Sequence, residues 1–142
     1  MEDRYLVEEQ CYNRLLDEWK KFGSIIIAVK FDDTIYDINQ RSASYPAVID
    51  LVKKCKSLGA KIVIWTDRPE SDYTLIEEHC IFKDIIIDGI NKDIKKLYSS
   101  ECRKIYYDIL LDDRAGLYSA VTLLTKVAGE MQRINNILDG ES

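Results

Sequence analysis

Three short stretches of the 142-residue chain hold the groups most able to do chemistry. They are Lys30-Phe31-Asp32-Asp33-Thr34, Thr66-Asp67-Arg68 and Asp112-Asp113-Arg114. Carboxylates beside a hydroxyl suit an oxygen-loving cation, and Mg²⁺ is typically held by one or two carboxylates, waters and a substrate phosphate. The Thr66 hydroxyl and nearby backbone N–H groups could take phosphate oxygens. A lysine placed close by could neutralise phosphate charge. Together these groups point to phosphoryl transfer or phosphate binding. A lone aspartate after a strand is usually a turn or cap residue. Three such sites at equivalent strand ends argue for one shared pocket.

The elements that must position these residues can be read from apolar runs. Ser24 to Val29, Lys61 to Thr66, Asp84 to Asp88 and Lys104 to Leu111 read as four strands. Continuous Ile/Val runs of this kind belong to strands buried on both faces, the habit of parallel sheets. Helices are expected between and around them. Asp3 to Phe22 carries Tyr5, Tyr12 and Trp19 on one stripe and is stopped by Gly23. A second helix has Ser44 as N-cap, Pro46 near its start, Val48, Leu51, Val52, Cys55 and Leu58 inward, and Gly59 as its stop. A third spans about Glu70 to Cys80, with Tyr73, Ile76 and Cys80 inward. The last, from about Ala115 to Leu138, is long, with Asn135 and Asn136 marking a frayed end. Alternating strands and helices predict a mainly parallel α/β sheet of about four strands, with ligands at its carboxyl edge.

Composition sets the outer bounds. The length suggests a single domain (1–142), divided into an N-terminal helix (1–23), a motif-bearing core (24–116) and a C-terminal helix and tail (117–142). The chain is 46% hydrophobic and 32% charged, with net charge −5, which argues against general nucleic-acid binding. No apolar run approaches the roughly 18 residues that span a bilayer, and Met1-Glu2-Asp3-Arg4 does not open a signal peptide. A cytoplasmic location, in a bacterial cell or a phage-infected host, and no membrane partner are expected. Four scattered cysteines and one histidine do not make a zinc site. The cysteines read as reduced and mostly buried, and His79-Cys80 as helix neighbours that diverge rather than a catalytic pair. The overhanging half of the last helix could meet a second copy in a homodimer.

Motif by motif, the pattern from Ser24 to Gly116 resembles the haloacid dehalogenase (HAD) superfamily, most of whose members are phosphatases. Lys30-Phe31-Asp32-Asp33-Thr34-Ile35 aligns with its first motif, Asp-x-Asp-x-Thr-Leu/Val, after an apolar strand. Ile62-Val63-Ile64-Trp65-Thr66 matches the second motif and Leu110-Leu111-Asp112-Asp113 the fourth. The loop from Asp37 to Ser44 is too short for a cap, so the resemblance is to small capless members of bacterial and phage type. It implies a three-layer HAD-like, Rossmann-like sandwich. It makes Asp32 the general acid/base and Thr66 the binder of the transferring phosphoryl group. Phosphate contacts fall to Asp33, Thr34, Thr66, Asp67 and Arg68. Mg²⁺ falls to Asp112 and Asp113, with the Asp32 backbone carbonyl. For the third-motif lysine the candidates are Lys92, Lys95 and Lys104. Lys104 precedes Asp112 by roughly 26 Å of extended strand, so Lys92 is preferred. The implied partner is a phosphorylated small molecule or a nucleotide.

One position departs from the pattern. The nucleophilic aspartate of motif one is Lys30 here, so no aspartyl-phosphate can form at it. At ~4 Å and an effective dielectric of about 20, an ammonium gains about 4 kcal/mol from each neighbouring carboxylate before desolvation. It could stand in for Mg²⁺. Three readings follow: a phosphohydrolase scaffold inactivated at Lys30 by natural or deliberate change, a pseudo-phosphatase that binds a phosphorylated ligand, and a dimeric interaction module. The otherwise intact set of Asp32, Thr34, Thr66, Asp112 and Asp113 favours a recent or deliberate loss. A shifted register, with Asp32 as nucleophile and Thr34 as acid/base, is the alternative alignment.

Overall fold

A computed structural model describes residues 6–38, 45–94 and 105–140. In chain order the elements are α1 (Glu8–Phe22), β1 (Ile26–Lys30), α2 (Pro46–Ser57), β2 (Lys61–Trp65), α3 (Tyr73–Phe82), β3 (Gly89–Ile90), β4 (Ile109–Leu111) and α4 (Leu117–Gly140). All strand pairs are parallel, and the spatial order is β3-β2-β1-β4. The architecture is an α/β fold of the Rossmann-like kind, with an N-terminal and a long C-terminal helix.

Strand periodicity divides the core. Ile27, Val29, Ile62, Ile64, Ile109 and Leu111 share one face. They pack there with Leu15 and Trp19 of α1, Leu51 and Cys55 of α2, Ile76 and Cys80 of α3, and Leu124 and Val127 of α4. Ile26 and Val63 point the other way and meet Ile105, with Ile94, Tyr106 and Tyr107 alongside. The central strands are therefore buried on both faces, as their unbroken apolar runs require. Trp19 is fully buried, and its indole N–H has no hydrogen-bond partner among the described residues.

Helix ends follow their chemistry. Glu8 and Glu9 open α1 and Lys20 and Lys21 close it, matching the helix dipole. Gly23, at φ 71°, caps α1 by donating its N–H to the Trp19 carbonyl. Gly59, at φ 105°, ends the turn after α2, where a Cβ would stand 3.0 Å from the Gly23 carbonyl. Glycine is required there by both backbone angle and space.

Several expected boundaries move. The run Asp84 to Asp88 is not a strand: Asp84 adopts φ 58° and Ile86 is two-thirds exposed. The third strand is the shorter β3 just beyond it. The Asp88 carboxylate explains the displacement. It accepts the Ile62 N–H at 2.7 Å and pairs with Lys56 at 2.8 Å, while the Asp88 N–H donates to the Ile62 carbonyl at 2.7 Å, so the side chain closes the amino edge of the β2–β3 pair. The fourth strand is confined to β4. Before it, Asp108 acts in the same way, its carboxylate taking the Ile26 N–H at 2.7 Å. The Glu70–Cys80 helix splits into a 3₁₀ turn (Glu70–Asp72) and α3. Helix α4 starts at Leu117 and continues through Asn135 and Asn136 to Gly140. The N-cap position of α2 is held by Tyr45, with Pro46 next. Ser44, Lys95, Cys102, Lys104 and the start of the expected first helix lie outside the described residues.

Candidate functional site

The sheet register brings the strand ends level. Lys30 pairs with Trp65 and Val29 with Leu111, so Lys30 has Asp112 on one side and Thr66 follows on the other. Past β1 the chain makes a tight turn. The Ile35 and Tyr36 N–H groups both donate to the Phe31 carbonyl, and the Asp33 N–H donates to the Tyr36 carbonyl at 2.8 Å. Asp33 takes φ 61°, a left-handed angle that aspartate tolerates better than most residues.

Two ion-pair systems occupy this edge. In the first, the Lys30 ammonium lies 2.9 Å from Asp113 Oδ1 and 3.9 Å from Asp112 Oδ1. Thr34, fully buried, donates its hydroxyl to the same Asp113 oxygen and accepts the Asp113 N–H, each at 3.2 Å. The hydrogen bond to Asp113 raises the Lys30 pKa above its ordinary value, against the opposing effect of burial. Burial pushes the Asp113 carboxyl up, but Lys30 and the Thr34 hydroxyl outweigh it, and the net shift is downward. Lys30 is thus held protonated and Asp113 ionised at neutral pH.

In the second system Arg68 grips Asp32 with two parallel bonds, Nε to Oδ2 at 2.9 Å and Nη2 to Oδ1 at 2.8 Å. Asp72 meets Nη1 from another direction at 3.3 Å. The hydrogen bond to Asp32 is the main cause of an upward shift in the Arg68 pKa. The guanidinium carbon sits 5.6 Å from the ring centroids of both Phe31 and Tyr36. Those rings stack at 4.9 Å, and His79 meets both edge-on.

Thr66 is buried and held by its backbone. Asn91 Oδ1 accepts its N–H at 2.9 Å, and Asn91 Nδ2 donates to its carbonyl at 2.6 Å. The Thr66 hydroxyl oxygen accepts the Arg68 N–H at 3.0 Å. Asp32, Thr34, Arg68, Asp112 and Asp113 thus come together around Lys30 and Thr66 at the carboxyl edge. Asp67 is exposed, and Lys92 stands exposed in the turn after β3 with no ion pair among the described residues. Cys80 is buried, and burial pushes its thiol up to about 11. His79 gives its Nε2 to a 3.1 Å contact with the Ile35 carbonyl, so the two neighbours serve different structures.

Three contributors were not apparent from residue spacing. Asn91 brackets Thr66, and Tyr36 with His79 supports the Arg68 guanidinium. The residue type is the one local signal for Asn91: asparagine tolerates the left-handed backbone that Asn91 takes, at φ 48°, directly after β3.

The fold and this edge define a parallel α/β protein with a polar cluster where such sheets bind ligands. Among solved structures, the chain is similar to a conserved protein coded by a locus from Bacteroides thetaiotaomicron. The two share 23% identity over 66% of this chain and 78% of that one, with a TM-score of 0.55. The likeness is one of fold. No family model matches the chain, and no curated protein matches it. Among the described residues no helix is long and apolar enough to cross a membrane.

Proposed function

We propose that the chain is a HAD-like, capless phosphohydrolase scaffold for a phosphate ester or nucleotide, silenced at its nucleophile position by Lys30. The observation that carries this reading is the seat of the Lys30 ammonium, 2.9 Å from Asp113 and 3.9 Å from Asp112. The resemblance would place a nucleophilic carboxylate at position 30 and a metal between it and those two acids. A protonated amine has no lone pair to attack phosphorus. Lys30, held protonated by Asp113, therefore forms neither an acyl-phosphate nor a phosphoramidate.

The Mg²⁺ that the resemblance implies does not fit the donors as they stand. Asp113 Oδ1 already serves Lys30 and Thr34, and Asp112 Oδ1 accepts the Arg114 N–H at 2.8 Å and faces the Lys30 ammonium at 3.9 Å. The internal cation supplies the charge that a metal would bring, and no catalytic step follows from it.

The test is Lys30→Asp against the chain as written, on a panel of phosphate monoesters and nucleotides with and without Mg²⁺. Turnover only in the reverted protein, and only with Mg²⁺, is the expected result. Magnesium-dependent turnover by the Lys30 chain would overturn the alignment in favour of Asp32 as nucleophile. No turnover by either protein would leave the edge as a binding site without an ancestral hydrolase.

A further inference from the structure

We propose that the Nε/Nη2 edge of Arg68 is an oxoanion seat, filled in this structure by the Asp32 carboxylate, and that a tetrahedral dianion enters by exchanging with it. The proposal rests on the phosphate-ester reading of the site and adds how the ligand is admitted. Asp32 meets Arg68 side-on, with one oxygen on each of two nitrogens at 2.9 and 2.8 Å. Two oxygens of a phosphate or sulfate fit the same fork.

The fork is held independently of Asp32. Its guanidinium lies over the stacked Phe31 and Tyr36 rings, 5.6 Å from each centroid. His79 buttresses both rings, Asp72 holds Nη1, and the Arg68 N–H is bonded to Thr66 Oγ1. Withdrawing Asp32 therefore leaves the donors in place. The Thr66 hydroxyl, an acceptor for Arg68, keeps its own proton to donate.

Exchange, rather than addition, follows from the charges. Asp32, Asp72, Asp112 and Asp113 face three cations, Arg68, Lys30 and Arg114, so the carboxylates outnumber them by one, and Lys30 is committed to Asp113. An arriving dianion meets an excess of negative charge unless one carboxylate leaves. Asp32 is placed to leave. It stands in the turn past β1, and the Arg68 and Asp32 side chains are 19% and 17% exposed, so solvent reaches the pair. Asp32 thus acts as a resident competitor that sets how tightly an anion must bind to enter. A divalent cation is not needed for this exchange.

Inorganic sulfate is the probe, titrated into the full chain with EDTA present and ionic strength held constant with chloride. Calorimetry gives affinity, and the ¹H–¹⁵N signal of Arg68 Nε reports the seat. Asp32→Asn and Asp32→Ala, run in parallel, are expected to bind sulfate at least about tenfold tighter than the unmodified chain. Adding Arg68→Gln to either should abolish that gain. The unmodified chain supplies a check that needs no variant: high sulfate should shift its Arg68 Nε signal. Equal affinity with and without Asp32, binding that survives Arg68→Gln, or an unmoved Nε signal in the unmodified chain would each overturn the proposal. Turnover does not enter this readout, so an inactive Lys30→Asp protein counts against the hydrolase scaffold and leaves the seat to be decided by sulfate.

Discussion

The Lys30 ammonium stands 2.9 Å from Oδ1 of Asp113, and the Thr34 hydroxyl reaches the same oxygen at 3.2 Å. The contact joins the end of β1 to the loop after β4. It exists because Val29 and Leu111 are in register, which puts the next residues of both strands side by side. One ammonium is then shared by two carboxylates where the two chain segments leave the sheet.

Replacing Lys30 with methionine tests what that contact contributes. The pair is partly exposed, so its loss should cost about 1 kcal/mol at pH 7. The Asp113 carboxyl is held below its ordinary 3.8 in the folded chain. Its contribution is therefore present above that value and fades as pH falls through the folded pKa. Lys30 is raised above 10.5, so its contribution is present below that value and fades as pH rises beyond it. Urea unfolding of both proteins from pH 3 to 11 should show a gap that is flat in the middle and narrows towards both extremes. A gap unchanged at pH 3 would show that the lysine acts by packing alone.

Glu18 gives the opposite sign. Burial, followed by the nearby Asp108 carboxylate, raises its pKa above 4.5, although Arg14 pulls it down. Ionised Glu18 is thus disfavoured in the folded chain, and stability falls as pH rises from the unfolded value through the folded one. Glu18→Gln should stabilise the chain at pH 7 by a few tenths of a kcal/mol, a value reduced for solvent screening of a side chain about one-third exposed. At pH 4 the two proteins should melt together. A variant less stable at pH 7 would mean that the Arg14 contact outweighs the burial cost.

The cysteines supply a chemical test. Burial lifts the Cys55 thiol to about 12 and the Cys80 thiol to about 11, so neither presents a thiolate at neutral pH. Iodoacetamide at pH 7.5 should leave both unlabelled in the native protein and label both in urea, read by peptide mapping. Fast native labelling of Cys80 would revive the pairing with His79.

Much of the fold was legible because parallel strands buried on both faces write themselves as plain Ile/Val runs. The runs from Ser24 and from Lys61 needed nothing more to be read as strands, although β1 begins at Ile26 and β2 ends at Trp65, one residue before Thr66. The Asp84 to Asp88 run misled for a physical reason. Its isoleucines look like a strand, but Asp88 spends its carboxylate on Ile62 and Lys56, and pairing begins only at Gly89. The carboxyl-edge aspartates and threonines could be gathered from strand order alone. Their partners could not. Arg68 reaches Asp32 across 36 residues and Asn91 reaches Thr66 across 25, and such contacts leave no periodic trace.

Asn91 is the sharpest case, because one side chain serves both peptide groups of a buried residue. Its Oδ1 accepts the Thr66 N–H, and its Nδ2 donates to the Thr66 carbonyl and, at 3.3 Å, to the Tyr73 hydroxyl. Its own N–H donates to the Ile64 carbonyl from a backbone at φ 48°. Asn91→Gly keeps that backbone and removes the bracket, leaving two buried peptide groups without their partner. The expected cost is about 2–3 kcal/mol. Asn91→Ala loses the same bonds and adds left-handed strain, so it should cost about 1 kcal/mol more. Urea unfolding ranks the two, and exchange of the Thr66 amide locates the loss, since that proton should exchange faster in both variants. If Asn91→Gly leaves stability and Thr66 exchange unchanged, water has taken over the bracket, and the position of Thr66 depends on β2 and the Arg68 N–H instead.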